Sequence, residues 1–163
     1  MLSFEDKTIA QLTSKFAQNG IVELITIRPE RGAEPIEKQS VKAIVRKGLE
    51  GDHYRGTSGK RGITIIQREH IEAVSSMIGK ESIDPKLLRR NIVVSGINLL
   101  ALKKKKFRLG KALLEHTGEC YPCSRMEENL GPGGYNAMRG HGGITCRILE
   151  GGEIGLGDKL VVV

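Results

Sequence analysis

The sequence predicts a mainly β protein, a closed β-barrel-like fold with a few short helices packed on it. From residue 21 onward, apolar residues occur in short runs separated by turn residues, which is the pattern of many short strands. The 21 glycines cluster at the joints between these runs, where tight turns require positive φ. No Ser-rich or Pro-rich linker divides the chain. We therefore expect a single β-barrel or sandwich.

The N-terminal part differs from this pattern. Residues 1–20 are predicted to form a helical extension, with Ser3 and Asp6 as an N-terminal capping pair. Apolar residues on one face continue the helix to Gly20, which is the expected stop. Residues 21–163 are predicted to form the main domain.

Two further helices interrupt the strands. One covers residues 68–77 at helical spacing and ends at Gly79, and a short one begins at Asp84, which is followed by proline. No internal repeat is visible, so each strand is predicted from its own apolar run. The predicted strands are residues 21–27, 41–45, 63–66, 92–94, 107–114, 144–149 and 160–163.

The charge balance favours an anionic partner. Lysine and arginine number 26 against 19 acidic residues, which gives a net charge of +7. The densest run is the four lysines at 103–106, which we expect in a solvated turn joining two strands. Nucleic acid is not the favoured partner, because the chain has no tryptophan and few other aromatic residues to stack on bases. A non-catalytic basic binding module stays as an alternative function.

Compartment and redox state follow from the termini and the cysteines. The first six residues carry acids where a secretory signal needs basic residues and then an apolar run. No run of about 18 apolar residues is present, so we expect a cytoplasmic protein without a membrane segment. Three cysteines are an odd number and would be reduced there. Thiol or metal chemistry is therefore favoured over disulfide bonds.

The motif Cys120-Tyr121-Pro122-Cys123 is the strongest chemical signal. Ser124 and Glu127 fit a capping box, so a helix is expected to start directly after Cys123. Backbone amides at that helix start, together with the charge of Arg125, would favour a thiolate on Cys123. The thiolate is both the nucleophile and the metal-binding form of cysteine.

Four interpretations of the cysteines remain open from the residues alone. Cys120 and Cys123 could form a dithiol redox pair, although such pairs normally follow the first strand of a domain. A structural zinc site could use His116 with both cysteines and His141 or Cys146 as the fourth ligand. Cys123 could act alone on a cofactor metal or on sulfur, or the two cysteines could be small turn residues. Cys146 itself alternates with apolar residues on a strand and is expected in the core.

Basic side chains at strand ends and glycine-rich joints could surround such a thiolate. Guanidinium groups bind phosphate in a bidentate manner, and asparagine offers both a donor and an acceptor to a heterocycle. Each of these residues taken alone is most simply a solvated surface charge. Their shared placement favours an anion-binding site, and they are Lys38, Arg61, Arg89, Arg90, Asn91, Arg139 and His141.

Six segments in a fixed order resemble the MOSC domain family, which is named for the C-terminal part of molybdenum cofactor sulfurase. The resemblance covers the chain from about residue 21 to its last residue and identifies it as a small, stand-alone, bacterial-type member. It leaves out the N-terminal helix. The matching segments are Gly-Leu-Glu-Gly-Asp-His at 48–53, the strand at 63–66 with the helix after it, Leu-Arg-Arg-Asn-Ile-Val-Val-Ser-Gly at 88–96, Leu-Gly-Lys-Ala-Leu-Leu-Glu at 109–115, Pro-Cys at 122–123, and the run at 143–152 with the terminal Gly-Asp at 157–158.

The resemblance implies a barrel-like fold and a site centred on Cys123. This cysteine would be the thiolate ligand of molybdenum in the molybdenum cofactor or would carry sulfur as a persulfide. Arg61, Arg89 and Asn91 would bind the pterin, and Lys38 would assist at the phosphate. The remaining implied residues are Arg139 at the cofactor and, as accessory residues, Cys120, His53, Arg125 and His141.

The resemblance also implies an activity and partners. The leading expectation is a molybdenum-dependent reductase of N-hydroxylated small molecules, with electrons from a separate donor protein because the chain has no flavin, haem or iron–sulfur motif. The alternative is a sulfur carrier loaded by a cysteine desulfurase. Pyridoxal phosphate binding is a further family-level association. A cofactor held by one thiolate and surface loops can be lost on purification.

Overall fold

The computed structural model describes residues 8–163, so the predicted capping pair Ser3 and Asp6 lies outside the described residues. The described part of the chain is mainly β. Its strands are β1 Gly20–Ile27, β2 Ile36–Glu37, β3 Ser40–Ile44, β4 Gly48–Leu49, β5 Ile63–Gln67, β6 Ile92–Ser95, β7 Lys106–Leu109, β8 Ala112–Glu119, β9 Ile144–Glu150, β10 Gly152–Gly155 and β11 Lys159–Val162.

The helices are short. They are α1 Ile9–Thr13, α2 Arg68–Met77, α3 Ser124–Leu130 and α4 Gly134–Met138, with 3₁₀ segments Pro85–Leu88 and Leu99–Leu102. The prediction of α2 is confirmed, and Gly79 has the expected positive φ of 72° just after it. Asp84 caps the first 3₁₀ segment, as expected, through its carboxylate and the Lys86 amide. Within residues 8–163, no helix is long and apolar enough to cross a membrane.

Seven strands close into a barrel, which confirms the predicted architecture. Their order is β1-β6-β5-β9-β8-β7-β11, and β11 pairs back onto β1 through Gly20 and Leu160. Only the β5–β6 pair of this barrel is parallel, and α2 lies in the connection between the two strands. A small sheet of β10, β3 and β4 packs beside the barrel, and β2 extends β1 at its edge.

The apolar residues form two layers. Aliphatic side chains and the fully buried Phe107 fill the barrel interior. A second cluster lies between the outside of the barrel and the helices, and it includes Ile66, Leu88, Val93 and Met126. Strands β5 and β6 are therefore covered on both faces, which explains their continuous apolar sequence. Met126 and Leu130 of α3 belong to this second cluster, which holds α3 against the outside of the barrel.

The N-terminal helix is shorter than predicted. Thr8 and Gln11 form its capping box, and α1 ends at Thr13 rather than near Gly20. Gly20 is instead the first residue of β1. A Cβ atom at this position would lie only 2.8 Å from Cγ2 of Ile97, so a glycine lets the strand approach the neighbouring loop.

The predicted strand at residues 107–114 is two strands. β7 and β8 form a hairpin whose turn is Gly110-Lys111, and Gly110 has a φ of 57°. The prediction missed the turn because a two-residue connection interrupts the run of apolar residues only briefly. The lysine run also differs from expectation. It follows a 3₁₀ segment, and Lys106 is already the first residue of β7.

Candidate functional site

The three cysteines occupy different environments. Cys123 is exposed at the N-cap of α3, while Cys120 and Cys146 are buried. Cys146 lies in the barrel core with 0% exposure, as expected, and burial raises the pKa of its thiol far above the usual value, with Cys120 adding to the effect. Cys123 is therefore the cysteine whose thiol is accessible for reaction or metal binding.

The helix after Cys123 forms as predicted, but its capping box does not. Cys123 is itself the N-cap residue, so Ser124 lies inside the helix and makes no side-chain cap. The Glu127 carboxylate points forward along the chain and accepts from the backbone amides of Gly133 and Tyr135. Glu127 thus ties α3 to α4 instead of closing the helix start.

Arg90 holds the loop that carries the cysteines. Its guanidinium donates through Nε to the carbonyl of Gly142 at 2.8 Å, through Nη1 to Leu88 at 2.9 Å and through Nη2 to Cys120 at 3.4 Å. It forms no ion pair within the described residues. Three chain segments meet at this one side chain, which was predicted to be part of an anion-binding site and here also supports the cysteine loop.

Burial lowers the pKa of Arg90, and neighbouring charges modify it in both directions. The thiols of Cys120 and Cys123 raise this pKa, whereas the cations Arg61 and Arg28 lower it. Each of these four groups is close enough to influence the half-buried guanidinium. Arg90 is therefore a half-buried charge without a carboxylate partner in the described residues, between the cysteine loop and two further arginines.

Glycines allow the close contact around Arg90. A side chain at Gly142 would collide with the carbonyl of Cys120, and one at Gly143 would collide with the carbonyl of Ile65. Gly143 also has a φ of 87° and accepts a hydrogen bond from the Cys120 amide at 2.8 Å. The glycine-rich segment 140–143 thus serves as a backbone support for the cysteine loop.

A polar cleft of about 690 Å³ opens at the same end of the barrel, and we call it the main cleft. It contains three cations, several hydroxyl groups and the His53 ring, and its volume lies in the usual range for small-molecule sites. The residues that line it are Arg28, Asp52, His53, Tyr54, Gly56, Ser58, Lys60, Arg61, Thr64, Asn91, Thr117, Gly118, Glu119, Tyr121 and Thr145.

A hydrogen-bond network forms the floor of the main cleft. The Asn91 side chain is 4% exposed, and its oxygen accepts from the amide and hydroxyl of Thr64 at 3.0 and 3.2 Å. Its nitrogen donates to Asp52 at 3.1 Å and to the Thr26 carbonyl at 3.4 Å. The other Asp52 oxygen accepts from the backbone amide of Arg28 at 2.8 Å. The oxygen and nitrogen of the Asn91 side chain are thus hydrogen-bonded to protein groups, and the residue fixes the arrangement of the cleft floor.

The cations of the main cleft are Arg28, Lys60 and Arg61. None of them forms an ion pair in the part of the chain that the structure describes. Only Arg61 was singled out from the sequence. The signal for Arg28 is its position directly after β1, and the signal for Lys60 is its place beside Arg61 before β5.

A second recess of about 380 Å³ is lined by Arg89 and Arg125 together with Lys86 and three acidic residues, Glu34, Asp84 and Glu128. Arg89 has a φ of 58° and donates from Nη2 to the carbonyl of Ala33 at 3.0 Å. Burial lowers its pKa, as do Arg28 and Arg125, while Glu34 and Cys123 raise it. Arg89 is thus influenced both by Cys123 and by the main-cleft residue Arg28.

Comparison with models of protein families identifies the family of this chain. The model of the MOSC domain matches residues 26–161, which is most of the chain. The chain belongs to the MOSC domain family. This family is associated with the molybdenum cofactor, and a cleft lined by three cations and by Tyr121, two residues before the exposed Cys123, is compatible with that association. A search of curated proteins gives no match.

Solved structures of bacterial proteins share the fold. The YuaD protein from Bacillus subtilis has a TM-score of 0.76 at 20% identity over 89% of this chain and 96% of that chain. YiiM from Escherichia coli has a TM-score of 0.68 at 18% identity, over 90% and 70% of the two chains. YiiM from Geobacillus stearothermophilus gives 0.72 at 18% identity, over 88% and 75%. At these identities the likeness shows a common fold.

Five residues suggested for the MOSC site do not line the main cleft or the second recess: Cys120 and Cys123 lie in the loop that follows the cleft residue Glu119, and the other three are Lys38, Arg139 and His141. Lys38 is exposed between β2 and β3, and its backbone amide bonds the Ile25 carbonyl at 2.9 Å. Arg139 is exposed after α4. The His141 ring packs edge-on against His70, with centroids 4.9 Å apart. Their suggested roles stay predictions.

Zinc binding finds no support in the geometry. Within residues 8–163, no three His, Cys, Asp or Glu side chains are grouped closely enough to hold a metal ion. His116 is on β8, where burial chiefly lowers the pKa of its ring. The structural zinc interpretation, which needs four ligands, therefore has no site in the described residues.

Proposed function

We propose that the protein binds the molybdenum cofactor, with Cys123 as the thiolate ligand of the metal and the main cleft as the site of the pterin and its phosphate. One observation carries this proposal. The half-buried Arg90 guanidinium donates to the carbonyl of Cys120, three residues before the exposed thiol of Cys123, and the residue after Arg90, Asn91, lines the main cleft. A soft ligand and an anion-binding surface therefore occur together.

The residues fit this group chemically. Thiolate is a soft ligand of the kind that transition metals of this class accept. Arg28, Lys60 and Arg61 can bind a phosphate, because in the described residues they form no ion pair with a carboxylate. The hydroxyl groups of Thr117 and Thr145 line the same space and suit the polar edges of a pterin.

Each group of residues has a distinct task. The cleft cations bind and orient the phosphate end, and the Asp52–Asn91 network keeps the floor beneath them in place. Arg90 fixes the carbonyl of Cys120 and so the loop that ends at Cys123. The second recess is the proposed space for the substrate, because Arg125, two residues after Cys123, lines it together with Arg89.

The proposed reaction is the reduction of an N-hydroxylated small molecule. When bound, the cofactor supplies two-electron oxygen-atom chemistry. The N–O bond breaks, two electrons and two protons are consumed, and the products are the reduced nitrogen compound and water. A separate redox protein supplies the electrons, and water supplies the protons.

Metal and pterin analysis tests this function directly. Protein made in a host that synthesises the cofactor should carry close to one molybdenum and one pterin per chain after gentle purification. Cys123→Ser should remove the molybdenum and the reductase activity, because a hydroxyl is a poor soft-metal ligand. Cys120→Ala serves as the control and should keep the metal. Parental protein without metal or pterin would overturn the proposal.

A sulfur carrier is the second candidate, and the exposure of the Cys123 thiol favours it. Attack of the thiolate on the sulfane sulfur of a desulfurase persulfide would form Cys123–S–S⁻ and return the desulfurase cysteine as a thiolate. This reaction needs no pterin cleft. Mass spectrometry after incubation with a cysteine desulfurase and cysteine should then show one added sulfur on Cys123, and Arg61→Ala should leave the adduct intact. Loss of molybdenum with retention of sulfur loading would favour this candidate.

A further inference from the structure

The four lysines at 103–106, called here the lysine turn, form a cationic surface. Lys103, Lys104 and Lys106 are exposed and Lys105 is half-buried. None of the four forms an ion pair within residues 8–163. The acid opposite Lys106 in the β7–β8 register is Glu115, which pairs with Arg147 at 3.4 Å. The positive charge of the turn is therefore not neutralised.

The backbone of the lysine turn places a lysine where glycine is preferred. The Lys105 amide donates to the Leu102 carbonyl at 2.8 Å, and Lys103 has φ −50° and ψ 126°. Lys104 follows with a φ of 62°, so the segment has the geometry of a type II turn. The third position of that turn normally holds glycine or asparagine. A lysine is kept there at a conformational cost, which points to a use for its charge.

The lysine turn borders the main cleft along β8. The His116 amide donates to the Lys105 carbonyl at 3.1 Å. The next residue, Thr117, lines the main cleft, and its hydroxyl donates to the carbonyl of Lys60, which is also a lining residue. In addition to burial, the charge of Lys103 lowers the pKa of His116. A partner seated on the turn would lie next to the cleft opening.

The shape of this surface favours a protein partner over nucleic acid. The charges are concentrated on one turn and do not form a stripe along a groove. The one aromatic residue adjoining the turn, Phe107, is buried and cannot stack on a base. A compact cluster of lysines complements an acidic patch of similar size on a partner. Because the backbone of the turn is already hydrogen-bonded, little backbone ordering is needed on binding.

We propose that the lysine turn is the docking surface for a small acidic electron-transfer protein that delivers electrons to the adjacent main cleft. This inference rests on the proposed reductase function for its purpose. The docking itself depends only on the protein surface. It can therefore be measured with protein that carries no cofactor, so that failure of docking and failure of cofactor binding are separate results.

Two triple variants with the same change in charge test the proposal. The first replaces Lys103, Lys104 and Lys106 by glutamine. The matched control replaces three exposed lysines near the opposite end of β7 and β11, namely Lys42, Lys111 and Lys159. Both variants lower the net charge by three. The probe is an acidic plant-type [2Fe–2S] ferredoxin, and the dissociation constant is measured at about 50 mM salt, where surface charges are weakly screened.

We expect the turn variant to bind the ferredoxin about tenfold more weakly than the parental protein and the control variant to differ from the parent by less than about threefold. Carbodiimide cross-links, which join lysine to carboxylate, should map to the lysine turn. Equal weakening in both variants would show that ferredoxin binding depends only on the net charge, and this result would overturn the proposal. So would the absence of any complex with the parental protein.

Two further measurements complete the test. Lys104→Gly keeps the turn conformation and removes one charge, so its thermal midpoint should not fall while its binding weakens. A lower midpoint with unchanged binding would assign Lys104 a structural role and contradict the proposal. A single-stranded oligothymidylate is the second probe. If the turn variant loses affinity for this probe but not for ferredoxin, the surface belongs to nucleic acid and the proposal is wrong.

Discussion

The barrel interior and the loop-rich end of the barrel hold the same thiol group in opposite surroundings. Cys146 is enclosed by aliphatic side chains and has 0% exposure. Cys123 is exposed at the start of α3, with arginines nearby. The interior offers low polarity and tight packing, which suppress thiolate formation and access. The loop-rich end offers cations, backbone dipoles and water, and there the same residue type can react or bind a metal.

The two regions also differ in what holds them together. The interior is stabilised mainly by burial of apolar surface, which is not directional. The loop-rich end depends on specific hydrogen bonds, such as those of Arg90 and Asn91, because its glycine-rich segments bury few apolar atoms. The reactive cysteine therefore lies in the region whose geometry depends on single polar contacts. Substitution of the residues that make these contacts tests the difference between the two regions.

The largest expected effect is on thiol labelling. In native protein, iodoacetamide should label Cys123 at least about 10³ times faster than Cys146, since access to the core thiol requires unfolding with an unfavourable free energy of 5 kcal/mol or more, as is typical for domains of about this size. Peptide mass spectrometry over time measures both rates. In concentrated urea the two rates should converge. Similar rates under native conditions would contradict the placement of Cys146 in the core.

A smaller effect is expected at Arg90. Arg90→Met removes the donors to the carbonyls of Leu88, Cys120 and Gly142, and we expect the free energy of unfolding to fall by about 1–3 kcal/mol in urea titrations. Arg90→Lys keeps the charge but cannot reach three carbonyls at once, so it should recover only part of the loss. A methionine variant as stable as the parental protein would show that the three hydrogen bonds do not fix the loop.

The smallest expected effect is a dependence of stability on pH through His70. Burial lowers the pKa of this ring below 6.5, and His141 adds to the lowering while Glu69 opposes it. The unfolded chain therefore binds more protons, so stability is complete above about pH 6.5 and declines as the pH falls through the lower folded pKa.

Thermal midpoints between about pH 8 and about pH 5 measure this dependence. His70→Gln should flatten the decline, and the part that persists is assigned to His116, whose pKa is lowered mainly by burial. Identical pH profiles for the parental protein and the variant would exclude His70 as a cause. The difference between the barrel interior and the loop-rich end would then rest on the thiols alone.

Much of the fold was accessible from local patterns. The apolar runs that became β1, β5 and β9 were predicted to within one residue at each end, because short strands bounded by turn residues leave a clear period in the sequence. The errors arose where two local signals competed. The β7–β8 hairpin was hidden by a turn of two residues, and the helix expected up to Gly20 yields to a strand that pairs with β11 and β6.

The candidate site was accessible only in part. Cys123 was identified as a thiol directly before a helix, since a motif of four residues determines this arrangement locally, and its exposure came from the structure. Arg28 and Lys60 were missed because their positions in the cleft depend on loops that are distant in the sequence. Asn91 was expected to face a ligand, whereas its hydrogen bonds go to Asp52, Thr64 and Thr26.

The sequence by itself determined the class of the fold, the family resemblance and the choice of Cys123, since periodicity and motif order are properties of the chain. Only the tertiary structure decided that Arg90 joins three segments, that Arg28 and Arg61 share a cleft, and that the lysine turn adjoins it. The physical reason is the closure of the barrel, which brings residues from β1, β5, β6 and β8 to one end. Contacts of this kind depend on pairing between distant strands, and no local pattern encodes them.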